Sequence, residues 1–267
     1  IIRLPDPDYQ NFLFWVIALG VVSLGFVLLY RFRAQAAIRR QRELEREVAQ
    51  RTSELGLEKQ KTDQLLLNIL PAQTAEELKQ TGKARARRYE QVTIVFSDFV
   101  GFTAISNGLE PEELVKELDF CFRTFDEIVA QYKLEKIKTI GDAYLFVGGL
   151  DGDPKQGAVD SLKAARDIQT FLRSYAEECQ EAGRPVFRAR LGIHTGPLVT
   201  GVVGTNKFAY DIWGKSVNIA SRMESNGQVD DIVISEATRD LVGNQFDCRP
   251  FGTYEEHGKS VDMFLVS

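Results

Sequence analysis

Residues 94–103 read IVFSDFVGFT, and this stretch decides the fold class. Val92–Ser97 is β-branched and alternating, the pattern of a strand. Asp98 ends that strand, and Phe99-Val100-Gly101-Phe102-Thr103 turns out of it into a helix. On the C-terminal side, Glu112–Gln131 has helical periodicity, with Pro111 in a favourable first-turn place. Glu135–Ile140 and Ala143–Val147 read as two strands joined at the turn-forming pair Gly141-Asp142. A long helix, Pro154–Glu181, follows. Strands near Phe187–His194 and Leu198–Val203 come next, then a helix near Ser216–Ser225. The order β-α-β-β-α-β predicts an α+β domain of ferredoxin-like arrangement, an antiparallel sheet with helices on one face. Residues 89–267 supply this domain and are enough for one core.

Upstream the chain changes character. Residues 71–88 form a linker, with a short helical stretch (Ala72–Gln80) and a basic run from Lys83 to Arg88. Residues 31–70 are highly charged, with no proline and one interior glycine, Gly56. Ala34, Val48, Leu55, Thr62 and Ile69 recur at heptad spacing on one line, and Ala37, Leu44 and Leu65 on the other. Gln41, Arg51 and Glu58 interrupt the lines, so the pattern predicts a parallel coiled coil with a weak seam, ended by Pro71. Phe12–Tyr30 (FLFWVIALGVVSLGFVLLY) carries no charge and is close to the roughly 20 apolar residues that cross a bilayer core. Trp15 and Tyr30 sit near its ends, as membrane interfaces favour. Arg31, Arg33, Arg39, Arg40 and Arg42 follow the run and only Arg3 precedes it. A single-pass anchor in the cell membrane with a cytoplasmic domain is therefore expected. Residues 1–11 read as an extramembrane stub. Because the first residue is Ile1, the chain is expected to begin inside a longer one, with a sensory domain upstream.

The whole chain of 267 residues is 44% hydrophobic and 27% charged, which excludes disorder and collagen-like repeats. With 33 basic against 38 acidic side chains the net charge is −5, which argues against nucleic acid as a partner. Cys121, Cys179 and Cys248 are odd in number and lack metal-ligand spacing, so neither a disulfide framework nor a zinc site is expected.

Two carboxylates stand out by position. Asp98 ends the first strand and Asp142 lies in the hairpin turn of KTIGDAYL (138–145). In a split β-α-β fold that hairpin lies beside the first strand, so both can reach one spot. Mg²⁺ is held by one or two carboxylates together with substrate phosphates, and paired metals serve in-line phosphoryl displacement. Either aspartate alone could simply cap or shape a turn. Free backbone N–H groups in Phe99-Val100-Gly101-Phe102-Thr103 would favour a polyphosphate beside the metals. Asn218 and Arg222, four apart in VNIASRM, share one helix face and could bind a ribose and a developing negative charge. Gly214-Lys215-Ser216 and Gly258-Lys259-Ser260 resemble the tail of a Walker motif. They lack its earlier glycine, with Ala209 and Thr253 standing there. His194, in an apolar strand, reads as a hydrogen-bonded core histidine.

Taken together, IVFSDFVGFT (94–103), EKIKTIGDAYL (135–145), ARLGIHTGPLVTGVVG (189–204) and YDIWGKSVNIASRM (210–223) closely resemble the class III nucleotide cyclases. The four motifs occur in order across almost all of 89–267. The resemblance implies that Asp98 and Asp142 bind two Mg²⁺ or Mn²⁺ ions. It implies that Lys138 and Asp211 read adenine, a cationic donor for N1 and a carboxylate for the exocyclic amine. Cyclases that use GTP typically carry Glu with Cys or another small polar residue at these places, so the substrate implied is ATP. Asn218 and Arg222 match the ribose-positioning and transition-state residues, and Arg190 and Lys259 match cations that contact the phosphates. The implied reaction is attack of the ribose 3′-hydroxyl on the α-phosphorus with loss of pyrophosphate. The family builds its site between two subunits, and this chain holds both residue sets, so a head-to-tail homodimer is expected. The coiled coil would then hold the two domains together and alter their mutual angle. The alternatives are a guanylate cyclase on the same fold and a catalytically inactive dimerising sensor module. A diguanylate cyclase would need a Gly-Gly-Asp/Glu hairpin where Ile140-Gly141-Asp142 stands.

Overall fold

The computed structural model describes the backbone of residues 7–256 and 259–267 and the side chains of 11–255 and 260–267. The chain divides into two units, the first ending at Leu66 and the second running from Leu67 to Ser267.

The first unit is one helix, α1 (Pro7–Leu67), continuous through both the uncharged run and the charged segment after it. From Asn11 onward it contains a stretch of mean hydropathy 2.7, long and apolar enough to cross a membrane, none of it buried. Phe14, Trp15, Leu19 and Phe26 are all at least 66% exposed. Beyond them the helix is supported by pairs along its own surface, Gln41 to Glu45 and Gln50 to Glu54, both at 2.9 Å. Leu44, Val48, Leu55 and Leu65 on the heptad lines are likewise exposed.

In the second unit α2 (Ala72–Thr81) is stopped by Gly82, whose φ of +70° suits a residue without Cβ. Then come β1 (Arg87–Phe99), the single-turn α3 (Phe102–Ser106), α4 (Pro111–Gln131), β2 (Glu135–Ile140), β3 (Ala143–Gly148) and α5 (Pro154–Glu181). β4 (Ala189–Val203), β5 (Ala209–Trp213), α6 (Lys215–Asn226), β6 (Ile232–Ser235), α7 (Glu236–Val242), β7 (Cys248–Glu256) and β8 (Lys259–Val266) complete it. The sheet order is β2-β3-β1-β4-β6-β8-β7, with β5 on β4. Its β4-β1-β3-β2 portion is antiparallel throughout and is the ferredoxin-like frame expected from the sequence. The segments read as two strands, Phe187–His194 and Leu198–Val203, are one strand, because Gly196 and Pro197 stay extended within β4.

One expectation needs correction: the helices do not keep to one face. Alternate β1 residues point opposite ways. Val95 and Phe99 pack with α4 and α5 through Phe125, Val129, Leu162, Ile168 and Leu172. Ile94 and Phe96 pack on the other side with Leu145, Leu198, Ile212 and Ala220 of α6. Both faces of β1 are therefore dry, which is why all six residues of Val92–Ser97 are buried. α6 approaches β4 backbone to backbone. A Cβ on Gly192 would lie 1.9 Å from the Glu224 nitrogen, so only glycine admits this contact.

His194 is 8% exposed, and its Nδ1 lies 2.7 Å from Ser235 Oγ. Thr238, Thr195 and Thr93 extend this into a buried chain of hydroxyls. Burial pushes the imidazole pKa down to about 4, so it sits neutral in the core, as its apolar strand implied. The three cysteines are free thiols.

Candidate active site

β1 and the β2–β3 hairpin bring Asp98 and Asp142 together. Ser97 pairs with Tyr144 across β1 and β3, and the hairpin turns at Gly141, whose φ is +63°. Extended by one residue, that register sets Asp98 beside the start of β3, next to Asp142. On its other side Asp98 pairs with Arg190 of β4. The Asp98 carboxyl is pushed up to about 6, first by burial, then by the charges of Asp142 and Glu224, with Arg190 opposing. A half-buried carboxylate beside a second one is short of positive charge, which a divalent cation would supply. No group of three or more His, Cys, Asp or Glu arranged to hold a metal ion is found among the described residues. The donor set therefore fits Mg²⁺ or Mn²⁺ sharing its coordination with water and phosphate rather than a closed protein cage.

The segment after Asp98 is partly committed elsewhere. Phe99 is 3% exposed and its ring packs on Phe122, Phe125 and Phe187. The Val100 N–H donates to the Arg188 carbonyl at 2.8 Å. Of the five residues proposed to cradle phosphate, these two serve the scaffold. The N–H groups of Gly101, Phe102 and Thr103 have no backbone partner among the described residues. Gly101, at φ +73°, turns the chain so that they open α3.

A second cluster lies on β2 and β5. Lys138 Nζ donates to Asp211 Oδ2 at 2.5 Å, and Asp211 Oδ1 accepts from the Ile212 N–H at 2.9 Å. The pair is partly exposed, Lys138 at 38% and Asp211 at 20% of its side chain. The separation of 73 positions is bridged because β4 runs on past Gly196 to pair with β5.

On α6, Ile219, Ala220 and Met223 face the sheet. Asn218 and Arg222 are exposed on the opposite side, and neither side chain has a hydrogen bond or ion pair among the described residues. Arg190 is engaged: its Nε donates to Glu224 Oε1, and its Nη2 lies 3.4 Å from Asp98 Oδ2. Lys259 opens β8, but its side chain lies outside the described residues. Glu224 escaped the sequence reading. The available signal was an acid on the apolar stripe of α6, next to Met223, where a charge needs a partner.

The chain thus carries two separate groups. Asp98, Asp142 and Arg190 form one; Lys138 and Asp211 form another, and no hydrogen bond or ion pair joins them among the described residues. Cavities of about 590 and 600 Å³ lie elsewhere, by Arg87, Glu135 and Tyr210 and by Glu117, Tyr175 and Arg184, and include none of these side chains.

Residues 84–267 match the family model described as the adenylate and guanylate cyclase catalytic domain. An adenylate cyclase of Mycobacterium tuberculosis is 36% identical over 218 residues, 81% of this chain and 48% of that protein. Retinal guanylyl cyclase 1 of Rattus norvegicus is 38% identical over 225 residues, 82% of this chain and 20% of that protein. The chain thus spans about half the length of the first relative and a fifth of the second. Among solved structures, the adenylyl cyclase CyaB from P. aeruginosa superposes with a TM-score of 0.65 at 28% identity, covering 68% of this chain and 96% of that one. With the βαββαβ frame and the paired aspartates in place, the chain belongs to the adenylate and guanylate cyclase family, the class III nucleotide cyclases.

Proposed function

We infer that this chain is a membrane-anchored adenylate cyclase that converts ATP to 3′,5′-cyclic AMP and pyrophosphate at sites shared between two copies. The observation that carries the choice of base is the Lys138–Asp211 pair, 2.5 Å apart. A permanent donor beside a permanent acceptor complements adenine N1 and its exocyclic amine. Guanine offers a donor at N1 and an acceptor at O6, and would leave both groups mismatched.

In this reading Asp98 and Asp142 hold the divalent cations. When bound, these supply acidity to the ribose 3′-hydroxyl and positive charge to the triphosphate. Asn218 orients the ribose, and Arg222 offsets charge on the α-phosphate as the 3′-oxygen bonds to phosphorus and pyrophosphate leaves. Arg190, Lys259 and the N–H groups of Gly101–Thr103 face the phosphates. Among the described residues the Asn218 and Arg222 side chains have no hydrogen bond or ion pair, which suits groups that serve a site completed by a second copy.

Residues 12–30 are assigned to the membrane span, 31–70 to a parallel signalling coiled coil, 71–88 to a linker and 89–267 to the catalytic domain. The exposed apolar residues of α1 support the first two, since a helix with such surfaces needs lipid or another helix. The arginines after Tyr30 support a cytoplasmic side for the domain.

A guanylate cyclase is the second reading, favoured by the similarity to a retinal guanylyl cyclase. Initial rates of the purified dimer with ATP and with GTP, in Mg²⁺ and in Mn²⁺, separate the two. Higher kcat/KM for ATP supports the proposal. Preference for GTP replaces it, and absence of any cyclic product supports an inactive dimerising module instead.

A further inference from the structure

Glu224 stands on the side of α6 that turns Ile219, Ala220 and Met223 toward the sheet, and it is 7% exposed. A carboxylate so buried needs a cationic partner, and Arg190 Nε supplies it. The other arm of Arg190 reaches Asp98 Oδ2 only at 3.4 Å, well beyond the roughly 2.7–2.9 Å of a charge-assisted bond. One guanidinium thus faces two carboxylates and is held by the one that is not at the strand end. The placement is built in, because the α6 backbone rests on Gly192, two residues from Arg190 in β4.

We propose that Glu224 is a positioning residue that holds Arg190 back from Asp98 and so leaves the Asp98 carboxylate open to a divalent cation. The reasoning is competition for charge. Three carboxylates and one guanidinium leave an excess of negative charge at the strand end, which a cation neutralises. If Glu224 loses its charge, Arg190 has a single anionic partner left. It closes on Asp98, and an incoming cation must displace it. This inference rests on reading Asp98 and Asp142 as the cation site, and it is independent of which nucleotide is cyclised.

The test is binding of Mn²⁺ alone, without nucleotide, to the full chain in detergent, followed by electron paramagnetic resonance. Glu224→Gln is expected to weaken Mn²⁺ binding about tenfold, in the range seen when groups orienting metal ligands are removed. The Mn²⁺ concentration for half-maximal turnover should rise in step. Glu224→Asp keeps the charge one methylene short of Arg190 and should fall between wild type and Glu224→Gln. In an Arg190→Met background the competitor is gone, so Glu224→Gln should lower Mn²⁺ affinity by clearly less than it does in the wild-type background. Unchanged Mn²⁺ affinity in a Glu224→Gln protein with a wild-type melting curve overturns the proposal. So does an equal loss in both backgrounds, or an Asp98→Ala chain that binds Mn²⁺ as wild type does. If Glu224→Gln fails to fold, Arg190→Met alone decides: retained or tighter Mn²⁺ binding supports the proposal and weaker binding contradicts it. Mn²⁺ binding needs no turnover, so the inference is decided even if neither ATP nor GTP proves to be the substrate.

Discussion

The two clusters of charged residues in the second unit are built on opposite principles. Lys138 and Asp211 neutralise each other at 2.5 Å across β2 and β5, with a backbone N–H fixing the carboxylate. Asp98 and Asp142 share a strand end with too little positive charge, and Asp98 is raised to about 6, first by its burial and then by the charges of Asp142 and Glu224. The first cluster is internally neutralised, and in the proposed function it would exchange its internal bonds for those of a base. The second carries excess negative charge, and in the same proposal a cation would offset it. A group satisfied at rest selects; a group unsatisfied at rest binds what would satisfy it. In the proposed dimer the two clusters of one chain serve different sites, which is why they can differ so much.

Substitutions can break this contrast, and the largest effect should come from the unsatisfied side. Asp98→Ala removes half of the carboxylate pair and should lower cyclic nucleotide formation by at least about 10³-fold in Mg²⁺, read as initial rate on purified protein. On the satisfied side, Lys138→Glu sets two carboxylates against each other. The kcat/KM for ATP should fall on the order of 10²-fold with a smaller loss for GTP; parallel loss of both would mean that the pair does not read the base.

Gly192→Ala tests the seating of α6 on β4. The added methyl must push α6 off β4, with an expected loss of about 1–3 kcal/mol in urea unfolding and a fall in kcat as Asn218 and Arg222 shift. The smallest effect on turnover at neutral pH concerns His194. Its folded pKa of about 4 lies below the ordinary 6.5, so the unfolded chain takes up the proton first. The stabilisation is complete above pH 6.5 and is lost as pH falls from 6.5 toward 4. Urea midpoints across that window should drop more steeply in wild type than in His194→Gln.

Much of this arrangement was legible in the sequence because it depends on short-range signals. The β-branched run before Asp98, the Gly141-Asp142 turn and the periodicity of α4 and α5 each report local geometry. β5 was not legible: Ala209–Trp213 is short and pairs only because β4 runs on beyond Gly196 and Pro197, a tertiary fact. The coverage of both sheet faces was missed for a related reason. Val92–Ser97 is short enough for an alternating reading and a doubly buried one to coincide, and only the backbone contact of α6 at Gly192 separates them. Of the site, the positions of Asp98, Asp142, Asn218 and Arg222 could be argued from spacing. Lys138 and Asp211 carried no local signal and came from motif resemblance alone. Their 2.5 Å contact gives that pairing a physical basis. The employment of Phe99 in the core and of the Val100 N–H by Arg188 depended on α4 and on the segment just before β4, which residues 99–103 do not encode by themselves.

The central claim is that one chain carries two half-sites that act in different composite sites, and complementation tests it most directly. Asp98→Ala and Arg222→Ala chains are each expected to be nearly inactive when purified as homodimers. Co-expressed in equal amounts, half of the dimers should be mixed, each with one intact site, and cyclic AMP formation from ATP should return to about one quarter of the wild-type rate. A co-expressed pair that forms mixed dimers yet remains as inactive as either parent would contradict the account.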